Sequence, residues 1–442
     1  MADLLGLAAN FIDNGIYDGP GSVNRVTTEL SEVADGIAMV EAFSHVVSFR
    51  TDDGLVLFDT SLMDFAEQVL KSLRGWSDQR IHSVAYTHGH VDHVGGMGRI
   101  LRDAADRGEP RPNVVGHENV SPRFDRYELT NGYNSIINMR QFAPAQALVG
   151  GMAGRGGEGP PRFGPANFVH PDVKFRDRMA LKVGETEFVL HHDRGETDDH
   201  LWAWVPAHKA ICAGDFVLWV FPNAGNPQKV QRYPREWAKA LRQMMAYEPE
   251  LLLPAHGLPI GGKDRIQTVL GDMATALETL LEQTLTMMNE GARLNDIVHD
   301  VHLPQSLLDK PYLRPVYDEP EFVVNNIWRL YGGWYNGNPA ALKPAKDSAL
   351  AQELADLAGG VEALFKRAQA LSDRKEFRLA CHLAEMAVLA APDHREAHAV
   401  RAAVYGARRA DELSLMSKGI YGWAETESAA KAGINEDPNA AS

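Results

Sequence analysis

The stretch Thr87-His88-Gly89-His90-Val91-Asp92-His93-Val94-Gly95-Gly96 constrains this chain more than any other, because three histidines and an aspartate fall within six residues. Ahead of it, Ile81-His82-Ser83-Val84-Ala85-Tyr86 is a short, mostly apolar run that reads as a buried strand. Behind it, two glycines lead into Met97, Ile100, Leu101 and Ala104 at helical spacing. The cluster therefore occupies a loop that leaves a strand end and enters a helix. In extended chain, residues two apart share a face, so His88 and His90 can aim at one point. Asp92 and His93 follow where the backbone curls and can aim at a second. That is a layout for two metal ions, and imidazole with carboxylate suits zinc, iron or manganese. The plain alternative, a polar loop with chance histidines, does not account for this density and order.

The chain has 442 residues, enough for two or three domains. Its net charge of −15 argues against nucleic acid or an anionic membrane surface as partner, and it means that an anionic substrate would need a local positive field. Cys212 and Cys381 are the two cysteines, so a disulfide framework is excluded and neither has metal-ligand spacing. Met1 to Asn10 carries no basic region, its apolar stretch is short for a signal peptide, and no run is apolar enough to span a membrane. The expectation is a cytoplasmic enzyme with no membrane insertion.

In chain order, residues 1–36 read as irregular, with turn signals at Asp18-Gly19-Pro20-Gly21. Val46 to Arg50 and Leu55 to Asp59 read as a hairpin around Thr51-Asp52-Asp53-Gly54. A helix with Phe65, Val69, Leu70 and Leu73 on one face precedes the metal loop. Asn113 to Gly116 is another strand, ending at His117, which reads as structural. Tyr127 to Arg140 is rich in aromatics and amides and carries Tyr133, Asn138 and Arg140. Residues 149–166 are dense in Gly and Pro and read as a long loop, either walling a substrate pocket or making a surface excursion. Strands then lead into His191-His192-Asp193-Arg194-Gly195-Glu196-Thr197-Asp198-Asp199-His200, into Gly214-Asp215, and into Leu253-Pro254-Ala255-His256. Past residue 262 the pattern turns helical, with an aromatic stretch from Trp328 to Tyr335, a Lys/Pro/Ala linker over 340–347, and paired helices from Ala363 to Arg409 that resemble one tetratricopeptide-like hairpin. The domains are thus read as 1–262 and 263–442.

Thr87-His88-x-His90-x-Asp92-His93 resembles the signature of the metallo-β-lactamase superfamily. The resemblance implies an αββα sandwich, in the α/β class, with metals at one edge and further ligands from later loops. Those loops appear in order as Gly195-Glu196, Gly214-Asp215 and His256. It implies two divalent ions, zinc first with manganese or iron as alternatives. One ion falls to His88, His90 and Glu196, the other to Asp92, His93 and His256, and Asp215 bridges. The superfamily usually has histidine where Glu196 stands, so His192 and His200 remain alternative ligands. Asp59 is either a partner that orients a ligand or a solvent-facing strand-end residue.

Trp328-Arg329-Leu330-Tyr331-Gly332-Gly333-Trp334-Tyr335-Asn336-Gly337-Asn338-Pro339 narrows the resemblance to the alkylsulfatase branch, in which an all-α dimerisation domain follows the catalytic one. Glu196 at the third motif fits that branch, as does Phe221 to Arg232 with Asn223, Asn226, Lys229 and Arg232. Two departures stand out: Asp215 where known members keep glutamate, and a chain that stops before their sterol-carrier-like domain. Both weaken the case for long-chain detergents.

The reading that follows is a dinuclear hydrolase of alkyl sulfate esters that works as a homodimer on a small-molecule ester. Asp92 and Asp215 are its catalytic carboxylates and a metal-bound hydroxide its reagent. Tyr133, Asn138, Arg140, Asn223, Asn226 and Arg232 are candidates to hold the sulfate group, arginine being suited to multi-oxygen anions. The alternatives are a lactone, carboxylic-ester or phosphoester hydrolase of the same fold, and a mononuclear iron sulfur dioxygenase, which would not need Asp92 as a ligand.

Overall fold

The computed structural model describes residues 2–15, 24–142 and 162–434. The chain forms two compact units, one from Met1–Asn131 with Arg162–Gly333 and the other from Gly132–Pro161 with Trp334–Ser442. The Gly/Pro loop read over 149–166 lies largely outside the described residues, as does the turn at Asp18 to Gly21.

The first unit opens with α1 (Leu4–Asn14), then β1 (Leu30–Ala34), β2 (Ile37–Val40), β3 (Val46–Thr51) and β4 (Gly54–Phe58). Next come α2 (Ala66–Trp76), β5 (Ile81–Ala85), α3 (Val91–Val94), α4 (Met97–Asp106), β6 (Asn113–His117) and α5 (Val120–Leu129). After α6 (Asn131–Phe142), which counts with the second unit apart from its first residue, come β7 (Val173–Phe175), β8 (Arg178–Val183), β9 (Thr186–His192), β10 (Leu201–Val205) and β11 (Ala210–Gly214). The unit ends with α7 (Pro234–Ala246), β12 (Leu251–Pro254), β13 (Ile260–Gly261), α8 (Lys263–Asn289), α9 (Leu294–Asp300), α10 (Gln305–Leu308) and α11 (Pro320–Tyr331).

Among the described residues, β1 to β7 form one sheet and β8 to β13 a second, each with its strands in sequence order. Strand periodicity explains the layering. On β4, Val56 and Phe58 enter the cluster shared with second-sheet residues such as Phe188 and Leu190. Leu55 and Leu57 point the other way, toward Val69, Leu70 and Leu73 of α2 and Met97 and Ile100 of α4. The expected sandwich with helices outside is therefore present.

The irregular reading of 1–36 was incomplete. α1 is a formed helix that buries Leu4, Ala8 and Phe11 at helical spacing. Asp3 caps it by accepting from the Gly6 amide at 2.9 Å, and Gly15 ends it at φ 64°. Those three side chains were the signal. β1 also begins inside the span read as irregular.

The compositional change at 262 marks where the strands stop, but the compact units part at Gly333. Ile266, Val269, Leu270, Met273 and Leu277 of α8 and Val323, Val324 and Ile327 of α11 belong to the same buried cluster as the sheets. The second unit is helical. Besides α6 it contains α12 (Asp347–Ala358), α13 (Val361–Ser372), α14 (Phe377–Ala390), α15 (Arg395–Asp411) and α16 (Leu415–Ala432). Ala368 and Leu371 of α13 pack with Ala380 and Ala384 of α14 and Val404 of α15, as the small-residue spacing suggested. No helix among the described residues is long and apolar enough to cross a membrane.

Candidate metal centre

The site lies where strands end. β4 and β5 run parallel, with Phe58 beside Ala85, and β11 and β12 run parallel, with Gly214 beside Pro254. Their carboxyl ends deliver Asp59, the 87–93 loop, Asp215 and His256 to one edge, and the loop between β9 and β10 adds Glu196. Carboxyl ends of parallel strands commonly carry ligand sites in α/β folds.

Three overlapping triads have potential ligand atoms within 4.8 Å of one another: His88 with His93 and Asp215, Asp92 with His93 and His256, and His90 with Glu196 and Asp215. All seven ligand candidates from the sequence are thus brought together. His256 Nε2 lies 3.3 Å from Asp92 Oδ2 and 3.6 Å from Asp215 Oδ1. His93 Nε2 lies 3.4 Å from Asp215 Oδ2 and 3.5 Å from Asp92 Oδ2. His90 Nδ1 lies 3.5 Å from Glu196 Oε1 and 2.8 Å from His88 Nε2. The alternatives to Glu196 fall in none of these triads. The His192 ring stacks on His117 at 3.7 Å and donates from Nδ1 to the His200 carbonyl. His200 accepts the Asp215 amide at Nε2 and stacks on Phe216. Gly214, at φ 53°, brings the chain against them, since a Cβ there would meet His200 Nε2 and Thr87 Cβ at 2.8 Å.

The electrostatics fit divalent metal cations. Burial, reinforced by the neighbouring imidazoles, keeps His88 well below the ordinary histidine pKa, and burial with Arg232 does the same for His90, so both are neutral donors. Burial pushes Glu196 up to about 8 despite Arg232. Burial alone would lower His93, but Asp215, Asp59 and Asp92 outweigh it and hold it well above its usual value. Buried negative charge is in excess here, and buried charge requires compensation. His93 Nε2 and Asp215 Oδ1 are buried with no hydrogen-bond partner. Histidine and carboxylate donors with such orphaned atoms are a fitting set for zinc-class ions.

The supporting residues were mostly not legible beforehand. Asp59 is fully buried at φ 64° and accepts from the Thr87 amide at 2.7 Å, the Thr87 hydroxyl at 2.8 Å and His93 Nδ1 at 2.7 Å. It is the orienting partner and not a solvent-facing residue. Asp199 accepts the Gly89 amide at 2.9 Å, between His88 and His90, and is itself held by Arg123 Nε at 3.0 Å. His45 accepts the Gly257 amide beside His256 at 3.2 Å. Asp199 sits three residues past Glu196, a signal present in the motif, whereas Arg123 and His45 gave none.

Of the candidate substrate residues, Arg232 is buried and places Nη2 3.1 Å from Glu196 Oε1, with Nη1 donating to the Glu196 carbonyl. Asn223 Nδ2 donates to the same Oε1 at 2.5 Å. Asn226 is buried and accepts the Gln228 amide at 3.2 Å. Lys229 is half-buried, and burial with Arg232 brings its ammonium down to about 7. Tyr317, which sequence reasoning missed, is held well above its usual pKa by burial and by Glu196. Tyr133, Asn138 and Arg140 lie on α6 in the second unit and are not among the residues the first unit brings together. Tyr133 is exposed there, and Asn138 donates to the Asn134 carbonyl.

A metallo-beta-lactamase superfamily model matches residues 40–256, and an alkyl sulfatase dimerisation model matches 293–431. A linear primary-alkylsulfatase of Pseudomonas sp. is 26% identical over 79% of this chain and 67% of its own length. An (R)-specific secondary-alkylsulfatase of Pseudomonas sp. is 27% identical, and the chain spans 55% of its length. An alkyl/aryl-sulfatase of Saccharomyces cerevisiae is 23% identical, and the chain spans 59% of it. The solved structure of a stereoselective inverting sec-alkylsulfatase from Pseudomonas sp. superposes with a TM-score of 0.78 at 22% identity, over 93% of this chain and 66% of that one. The chain thus carries a metallo-β-lactamase superfamily domain over residues 40–256 followed by an alkyl sulfatase dimerisation domain over 293–431, and its relatives named above are alkylsulfatases.

Proposed function

We propose that this chain is a dinuclear metal-dependent hydrolase of alkyl sulfate esters. The observation that carries the reading is the junction at Glu196: one carboxylate touches both the metal-ligand cluster, through His90, and the buried Arg232 and Asn223. A sulfate group bound beside that junction would meet metal charge on one side and a guanidinium on the other. Bound there, two divalent ions would supply Lewis acidity toward an ester oxygen and would acidify water, bringing its pKa down to about 7.

The residues divide the remaining work. His88, His90 and Glu196 would hold one ion, Asp92, His93 and His256 the other, and Asp215 would bridge. Three carboxylates would cancel three of the four charges on two divalent ions and a hydroxide the fourth, so further cations would be needed to hold a sulfate monoanion. Arg232 can present a planar fork to its oxygens, and Lys229 adds charge nearby. Asp59 keeps the His93 Nδ1 proton so that Nε2 faces the metals. The alkylsulfatase names of the relatives support the substrate class, and the place of Asp92 in a triad with His93 and His256 favours two metals over the single iron of a dioxygenase. We further propose zinc as the metal, a homodimer through the helical region and a cytoplasmic location. Elemental analysis combined with a panel of sulfate, phosphate and carboxylic esters tests the reading. One iron per chain with no sulfate release would overturn it.

A further inference from the structure

The segment 293–431 matches a dimerisation model, yet its first part, through Gly333, lies in the same compact unit as the metal centre. There it grips the chain that carries Asn223, Asn226 and Arg232 at three points. The Phe221 amide donates to the Arg314 carbonyl at 3.0 Å. The Gly225 amide donates to Asp318 Oδ2 at 2.6 Å, and the chains run so close that a Cβ on Gly225 would sit 2.3 Å from the Phe322 carbonyl carbon and the Val323 nitrogen. At the third point the Asn326 amide clamps the Arg232 backbone. Its Oδ1 accepts the Arg232 N–H at 3.2 Å and its Nδ2 donates to the Arg232 carbonyl at 3.0 Å. Gln231 Nε2 adds a bond to Asn326 Oδ1 at 2.7 Å.

One side chain thus satisfies both backbone groups of the residue whose guanidinium reaches Glu196. Both bonds must hold the backbone in one place for that reach to be reproducible, and oriented anion recognition depends on such placement. Arg232 Nε and Asn226 Nδ2 are buried with no partner, which leaves donors available on the arm being held.

We propose that Asn326 is a positioning residue for sulfate recognition, and that residues 314–326 are a brace for the Arg232 arm and not only part of a dimer contact. The inference rests on the sulfatase reading for its ligand but not for its geometry. Asn326→Ala removes both bonds. Asn326→Asp keeps the acceptor for the Arg232 amide and loses the donor. Asn325→Ala, on an exposed neighbour that bonds only within its own helix, is the control.

Amide hydrogen exchange reads the brace without substrate. Protection of the Arg232 amide should fall at least about tenfold in Asn326→Ala and be largely kept in Asn326→Asp. Binding of inorganic sulfate and KM for an alkyl sulfate should each weaken by about tenfold in Asn326→Ala and less in Asn326→Asp. Metal content, molecular mass in solution and kcat should change little. Unchanged exchange at Arg232 would overturn the brace. Increased exchange with unchanged sulfate affinity, or a change in mass alone, would overturn the positioning role. Increased exchange in a chain whose wild type neither binds sulfate nor cleaves sulfate esters would leave the brace standing and overturn the sulfatase reading instead. If Asn326→Ala fails to fold, Asn326→Leu, of similar size and able to form neither bond, carries both comparisons.

Discussion

Replacing Asp59 with asparagine changes one oxygen to a nitrogen in a fully buried position and should weaken the metal site through a tautomer. Asp59 Oδ2 lies 2.7 Å from His93 Nδ1, and Oδ1 lies 2.7 Å from the Thr87 nitrogen. Both neighbours donate, and the Thr87 hydroxyl adds a third bond at Oδ2, so both carboxylate oxygens serve as acceptors. An asparagine has one carbonyl oxygen, and either orientation of its amide sets an N–H donor against one of them. If the amide nitrogen faces His93, the imidazole must move its proton to Nε2, the atom 3.4 Å from Asp215 and 3.5 Å from Asp92, where a metal needs a lone pair. If it faces Thr87, a buried backbone amide loses its partner, at a cost of about 1–3 kcal/mol of stability. Changes to partners that orient metal-bound histidines typically lower metal affinity about 10–100-fold, or about 1.4–2.8 kcal/mol. The assay is chelator competition on Asp59→Asn and wild type, with elemental analysis after dialysis. The expected result is loss of the ion held by Asp92, His93 and His256 ahead of the other. Two tightly held metals and wild-type turnover in a folded Asp59→Asn protein would refute the argument that Asp59 orients His93.

Asp92→Ala should lose the same ion preferentially and most of the activity, and two retained metals with full turnover would contradict the assignment. Glu196→Gln should weaken the ion shared with His88 and His90, because an amide is a poorer ligand than a carboxylate, whereas His192→Ala should leave both metals in place; the reverse pattern, read by metal content, would move the ligand to His192. Truncation after Gly262 removes α8 and α11, whose buried Leu270, Leu277 and Ile327 complete the core of the first unit, so the fragment should be insoluble or molten; a folded, active fragment would show that these helices are dispensable. Trp334 is 70% exposed, and Tyr331 and Tyr335 are also exposed, more aromatic surface at close spacing than a free chain usually keeps; light scattering should give a dimer, and a monomer at micromolar concentration would count against it.

The site was legible where chemistry is written in consecutive residues. His88, His90, Asp92 and His93 stand out by density, and Glu196, Asp215 and His256 as candidates at the later motif positions that the family resemblance implies. What surrounds them is assembled by contact between distant segments, and neither spacing nor composition records it. Arg123 reaches Asp199 across 76 positions of sequence, and Asn326 reaches Arg232 across 94. Asp59 was visible as a strand-end acid, but only burial separates an orienting carboxylate from a solvent-facing one. The hairpin around Asp52 and Asp53 is plain because an Asp-Asp-Gly turn separates two mostly apolar runs. α1 is hard to read from sequence because Leu4, Ala8 and Phe11 make only a short apolar face at a terminus. The compositional boundary at 262 marked a change in element type, but buried side chains from both sides of it meet in one core, so the compact unit runs on to Gly333.

The most direct test of the central claim is the stoichiometry of metal and of sulfate release in one preparation. Purified protein is analysed for bound metals, stripped with a chelator, and titrated with zinc, manganese or iron while inorganic sulfate released from an alkyl sulfate ester is measured. The account predicts that activity rises in step with metal to two ions per chain and that phosphate and carboxylic esters are cleaved far more slowly. Full activity at one iron per chain, or undiminished activity in the stripped protein, would contradict it.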